Sequence, residues 1–239
     1  MLRHTGQKRT FNHNLRLAIL LCLNAGFING AGFLAFRVLT TNVTGHAALF
    51  AVNLAEADFR AAGIVALWFL LFLTGAFISG ICIEAIGREK SSAYLLPIGI
   101  IIAILATVTI SCHSYNSSLH ETEYFAGSLL FAMGMQNALV SMISGSVVRT
   151  THLTGMFTDL GTDLSIAVIQ PLKLTARIQR RILLRVVIIT SFLFGGVMGT
   201  FLFLQYQFDA FLMPIFFLMT ALFYDYFRFH VIRVMRRYK

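Results

Sequence analysis

Residues 40–45 read TTNVTG and residues 150–155 read TTHLTG, a match at a constant offset of 110 that sets Thr40, Thr41, Thr44 and Gly45 against Thr150, Thr151, Thr154 and Gly155. Self-similarity at so long a period marks a duplicated architecture, to be read before any single element is assigned. The same offset places Asn42 against His152, Asn53 against Asp163 and Leu54 against Leu164. Upstream, Asn24-Ala25 and Asn137-Ala138 come into register with a gap of three residues. Downstream, each half carries small residues one turn apart, Gly75 with Ser79 and Gly195 with Gly199.

Outward from the two motifs lie six segments that are apolar for long enough to cross a hydrocarbon core of about 30 Å, which takes about 20 helical residues. They fall near 16–36, 61–86, 93–112, 124–146, 186–206 and 208–227. The motifs themselves lead into shorter apolar stretches, 43–57 and 153–170, broken by Asn53, Glu56, Asp159 and Asp163. These read either as half-helices entering the membrane or as tilted short spans. Hydrophobic residues make up 57% of the chain and charged residues 12%, against roughly 25% charged in soluble domains. The expected fold is therefore an all-α, polytopic membrane helix bundle. One membrane domain covers residues 1–239, with about six transmembrane helices plus two short or half-helices in two internal repeats, 15–112 and 124–227. Three spans per half is an odd number, so the halves run in opposite directions, as in the inverted repeats of transporters and some channels. Eight full crossings would make the repeats parallel.

The net charge of +9 could point to nucleic acid, but its placement argues against that partner. With six spans and the N-terminus inside, 17 of the 19 Lys and Arg fall on the cytoplasmic side, and only Arg37 and Arg60 fall outside, as the positive-inside rule demands. Eight crossings would split them 15 to 4 and move the loop with Glu121 and Glu123 inward. The segment 172–185 contains KLTARIQRRILLR, with cations alternating with Leu and Ile at helical spacing, which reads as a basic interfacial segment on the cytoplasmic face resting on anionic headgroups. The lipid bilayer is thus the expected partner, in a bacterial inner membrane with both termini cytoplasmic, and a homo-oligomer is compatible with the sequence. Cys22, Cys82 and Cys112 sit in apolar runs without CxxC spacing, so neither a disulfide framework nor a metal site is indicated. The basic N-terminus leads into a run of about twenty apolar residues, which reads as a first span and not as a removed signal.

Polar groups in hydrocarbon are costly unless they pair or line water, so their positions carry the functional reading. They gather around the two motifs: Asn24, Asn29, Thr41, Asn42, Thr44 and His46 in the first half, and Gln136, Asn137, Arg149, Thr151, His152, Thr154, Asp159 and Asp163 in the second. Thr and Asn ahead of a helical run cap its N-terminus, leaving free N–H groups and the positive end of the dipole in the gap between halves, where anions bind. Asp159 and Asp163 stand four residues apart on one helix face, able to share a proton, hold a cation or pair with Arg149. His46 and His152 are suited to titrate near neutrality. Either motif alone reads as a capping and packing device. Both together, flanked by Asn, His, Arg and two Asp, read as a substrate site. Gly26 with Gly30 and Gly195 with Gly199 read as helix-contact surfaces.

The pattern NAGFINGAGF with NVTGH, then MGMQNALVS with RTTHLTGMFTDLG, resembles the bacterial YoaK family of integral membrane proteins over nearly the whole chain. The resemblance implies a six-span inner-membrane fold. From the residues themselves the leading expectation is a secondary transporter of a small polar or anionic solute, proton-coupled through His152, Asp159 and Asp163. The alternatives are a channel lined by the same motifs and a non-transporting membrane subunit. No HExxH, GxSxG or glycine-rich phosphate loop is present, so no enzyme and no cofactor is expected.

Overall fold

The computed structural model describes residues 10–88, 90–116, 118–171 and 175–223. Among them regular structure is helical throughout: α1 (Phe11–Phe36), α2 (Val43–Ala55), α3 (Phe59–Ile86), α4 (Leu95–Ser111), α5 (Leu119–Ser144), α6 (Leu153–Ile169) and α7 (Ala176–Tyr206), with α8 over residues 212–223. Residues 224–227 of the last expected span, the terminal cations from Arg228 to Lys239, and Lys173 lie outside the described residues.

Among the described residues, five continuous helical stretches are long and apolar enough to cross a membrane. The last, Ala176–Phe223, has 48 residues, about twice what one crossing requires. It is broken by a 3-10 turn at Gln207–Phe211, where Gln207 adopts φ 50°. The chain reverses there. Along α7, Gly195 lies against Leu23 and Gly199 against Phe27, so α7 runs parallel to α1. Beyond the turn Phe208 lies against Phe36 and Phe217 against Phe27, so α8 runs antiparallel to α1. Six helices therefore traverse the bundle, and large apolar side chains on the outer faces of α3 and α7, such as Leu73, Phe77, Phe194 and Val197, are exposed as a bilayer-contacting surface requires.

At the centre α1 and α5 are antiparallel. Phe36 stacks on Phe125 at one level, and at another Asn24 Nδ2 donates to Gln136 Oε1 at 2.6 Å. Each is crossed closely by one partner, α7 on α1 and α3 on α5. The two crossings are built alike. A Cβ on Gly26 would meet the Phe192 carbonyl oxygen at 2.0 Å, and one on Gly195 would meet that of Leu23 at 2.1 Å. In the other pair a Cβ on Gly134 would meet the Phe72 carbonyl oxygen at 2.1 Å, and one on Gly75 would meet that of Phe131 at 2.1 Å. Glycine is required because the backbones themselves are in contact. Since α1 and α5 correspond and are antiparallel, the two repeats are related by a two-fold axis across the helices, in the plane of a bilayer.

The short elements are half-helices. After Phe36 the chain turns at Arg37 (φ 58°) and folds back along α1. Thr40 then lies against Gly32, and Thr41 bonds to Asn29. From that mid-depth point α2 returns along α3, with His46 against Trp68 at 5.4 Å. In the second repeat the chain turns at Gly145 (φ 63°) and folds back along α5, and α6 then runs out along α7. Ala176–Arg185 forms the opening turns of α7, continuous with the span. The basic stretch thus opens a spanning helix, and its first residues, 172–174, lie outside the described residues.

Candidate functional site

The half-helices begin at the middle of the bundle, and their first residues face one cavity of about 660 Å³. Four pairs matched by the offset of 110 line it together: Thr41 and Thr151, Asn42 and His152, Val43 and Leu153, Thr44 and Thr154. The cavity therefore lies at the pseudo-two-fold axis. Asn42 caps α2, its Oδ1 accepting from Gly45 N at 2.9 Å. His152 caps α6 without a side-chain bond to the helix, and its ring covers Gly155, where a Cβ would meet it at 2.3 Å. Both positive helix ends are thus directed at one space.

The lining leans toward the second repeat, which adds Asn137, Ser141, Ser146, Arg149, Thr158 and Asp159. Arg149 is exposed and has no ion-pair partner among the described residues. Asp159 is the carboxylate of the lining, and Arg185 already engages it, Nη2 lying 3.2 Å from Asp159 Oδ2 and Nη1 bonding its backbone oxygen at 2.9 Å. With a free guanidinium, two helix N-termini and threonine hydroxyls against one neutralised carboxylate, the cavity is electropositive.

Other residues singled out in the sequence stand elsewhere. Asn29 lies behind the cavity, its Oδ1 accepting from Thr41 N at 3.2 Å and Thr41 Oγ1 at 2.9 Å. Asn137, which lines the cavity, accepts instead from Thr150 Oγ1, the counterpart of Thr40, at 3.5 Å. The matched glycine crossings align Gly26 with Gly134 and Leu23 with Phe131, so Asn29 and Asn137 are the equivalent pair, at an offset of 108, and the three-residue gap that matched Asn24 to Asn137 is not the structural alignment. Asn24 and Gln136 are fully buried at the α1–α5 contact, away from the cavity, with Gln136 Nε2 donating to the Leu21 carbonyl at 2.9 Å. His46 is buried on the far side of α2.

Asp163 is buried and belongs to an ion cluster. Its Oδ1 accepts from Arg181 Nη2 at 2.8 Å and its Oδ2 from Arg185 Nη1. The i, i+4 spacing puts both carboxylates toward one neighbour, but that neighbour is α7 and the partners are Arg181 and Arg185, not Arg149. Sequence reasoning missed this because it assigned both arginines to the membrane surface. The available signal was register: an Arg pair four residues apart facing an Asp pair four residues apart. The contact at Gly75 and Gly195 sets the offset between α3 and α7 at 120, so Arg181 and Arg185 correspond to Ala61 and Val65. Asp159 and Asp163 correspond to Leu49 and Asn53. In the second repeat charge joins half-helix to span; in the first these four positions line a second cavity.

No curated protein and no solved structure matches the chain. A family model covers most of it, residues 17–224, and includes both motifs, both half-helices and both glycine crossings. The chain therefore belongs to the family described as Protein of unknown function (DUF1275).

Proposed function

We propose that this protein is a secondary transporter of a small polar or anionic solute, bound in the central cavity between the two threonine motifs. The observation that carries the reading is the convergence of two half-helix N-termini and Arg149 on one polar space of about 660 Å³. Inverted-repeat transporters bind substrate where interrupted helices meet at mid-depth, and free N–H groups with a guanidinium favour an anion. We place the protein in the bacterial inner membrane as a YoaK-like member of its family, with both termini cytoplasmic. The end of the bundle that carries Arg88, Arg177, Arg180 and Arg181 then faces the cytoplasm, as the distribution of cations favours. The role is that of a carrier and not of an enzyme.

Transport is favoured over a channel by the unequal attachment of the half-helices. The ion cluster ties α6 to α7, while α2 rests on α3 through ring contacts such as His46–Trp68 and Phe50–Phe69. One half-helix is held and the other is freer to close. The test is solid-supported-membrane recording on proteoliposomes challenged with monocarboxylates, dicarboxylates, phosphate, sulfate and neutral polar solutes. A saturable current that Arg149→Gln removes is expected. Absence of any response from folded protein across the panel would sink the transport reading. Flux that never exceeds downhill equilibration would favour a channel.

A further inference from the structure

The second cavity, about 580 Å³, lies between α2, α3 and the adjoining ends of α1 and α5. Its walls are mostly apolar, with Phe33, Phe36, Leu49 and Val65 among them. Arg37, His46, Asn53, Trp68, Thr122 and Glu123 bring polar side-chain atoms to that lining. Trp68 Nε1 and Glu123 Oε1 are buried and have no hydrogen-bond partner among the described residues. Arg37, the left-handed C-cap of α1, also lines the space and has no ion-pair partner among the described residues. The other oxygen of Glu123 lies 3.9 Å from exposed His120 Nδ1.

Buried polar atoms are normally satisfied, and each exception calls for a cause. Here the duplicated fold supplies an internal comparison. In the second repeat the places of Leu49, Asn53, Ala61 and Val65 are held by Asp159, Asp163, Arg181 and Arg185, whose charges satisfy one another. The architecture does not oblige this region to be hollow. The first repeat instead sets the Glu123 carboxylate and the Arg37 guanidinium on the lining of a mostly apolar space, and the complementary ligand carries a cation, an anion and an apolar body.

We propose that this cavity is a binding site for a small amphipathic zwitterion, a compound with an ammonium and a carboxylate on an apolar body, the chemistry of the large apolar amino acids. The ammonium pairs with Glu123, the carboxylate takes Arg37, and the apolar body fills the space between Phe33 and Val65. A zwitterion brings no net charge against a mostly apolar lining. A simple cation satisfies Glu123 and leaves Arg37 as it is. The proposal goes beyond the central-cavity reading and does not depend on it.

Trp68 is the single Trp of the chain, so intrinsic emission reports on this cavity directly. The purified full chain in nanodiscs is titrated with L-leucine and L-phenylalanine. A saturable change in Trp68 emission is expected. Glu123→Gln, leucine methyl ester, which lacks the carboxylate, and 4-methylpentanoate, which lacks the ammonium, should each weaken binding about tenfold or more, the loss of one charge-assisted bond. Arg149→Gln should leave the signal unchanged, which separates this site from the central one. A folded protein with no saturable change overturns the proposal, as does an unaltered response in Glu123→Gln. An alkylamine that matches leucine also overturns it, since the site would then take simple cations. Should Glu123→Gln fail to fold, Ala61→Phe fills the cavity instead, and a response that survives that change is equally fatal.

Discussion

The carboxylate of Asp163 on α6 is held by Arg185 on α7, whereas the first repeat has Asn53 and Val65 at these two places. The side chain of Asp163 is 5% exposed and that of Arg185 17% exposed, while Arg181 is 46% exposed. Removing one member of a buried pair leaves the other charge uncompensated, at about 3–5 kcal/mol. Asp163→Ala is predicted at the low end of that range, because Arg181 keeps water and Arg185 keeps Asp159. A lowered melting temperature of the detergent-solubilised protein, with membrane insertion intact and transport lost, is the expected outcome. Asn53→Ala should be milder on both measures. Asp163→Leu combined with Arg185→Leu should recover part of the lost stability, since no buried charge then remains.

That pairing marks where the sequence was readable and where it was not. Duplication and six long crossings follow from the spacing of TTNVTG and TTHLTG and from the lengths of the apolar runs between them, while 43–57 and 153–170 read equally as half-helices or as tilted short spans. Those features depend on local composition and on span length, which a sequence displays. Asn24 and Gln136 look like cavity residues by polarity alone, yet they bond each other in the α1–α5 contact. Arg181 and Arg185 look like surface residues by their basic neighbours, yet they reach inward. Which side of a helix faces which neighbour depends on packing between repeats. The glycines that set that packing, Gly26 with Gly195 and Gly75 with Gly134, are visible in the sequence only as small residues.

Those glycines give a second prediction. Gly75→Val and Gly195→Val place side chains where even a Cβ would lie 2.1 Å from a carbonyl oxygen of the partner helix. Overpacking a tight core costs about 1–3 kcal/mol, and here the obstacle is backbone that cannot rotate away. Both variants should lose most of their monodisperse yield in fluorescence-detected size-exclusion chromatography. Gly63 and Gly161 meet nothing within 4 Å. Their alanine variants should keep wild-type yield and gain up to about 1 kcal/mol from helix propensity.

Orientation is tested by reporter fusions. Glu121 opens α5 at the end of the bundle where Phe36, Tyr115 and Phe208 cluster, and Arg88 and Arg181 lie at the opposite end. Fusions after Glu121 should report the periplasm, and fusions after Arg181 and at Lys239 the cytoplasm. A cytoplasmic signal at Glu121 would contradict six crossings and the inverted relation of the repeats.

The last prediction concerns the two asparagines behind the threonine motifs. Asn29 Oδ1 accepts both the backbone N–H and the hydroxyl of Thr41, at 3.2 and 2.9 Å, whereas Asn137 accepts one hydroxyl, that of Thr150, at 3.5 Å. The first arrangement fixes the point at which the folded-back segment gives way to α2. The second is a weaker brace, because a bond at that length lies beyond the usual range for a hydroxyl donor. Asn29→Leu leaves the Thr41 amide without its acceptor in a buried position, a loss of about 1–3 kcal/mol, and frees the first turn of α2 to shift. Asn29→Asp keeps an oxygen in the same place and preserves both bonds. The expected order of melting temperature and of transport is therefore wild type near Asn29→Asp, then Asn137→Leu, then Asn29→Leu. If Asn29→Leu and Asn137→Leu prove equivalent, the brace on Thr41 does not set the position of α2. The end of the half-helix must then be held by the Asn42 cap alone, which Asn42→Ala, at about 1 kcal/mol for a lost cap, would reveal.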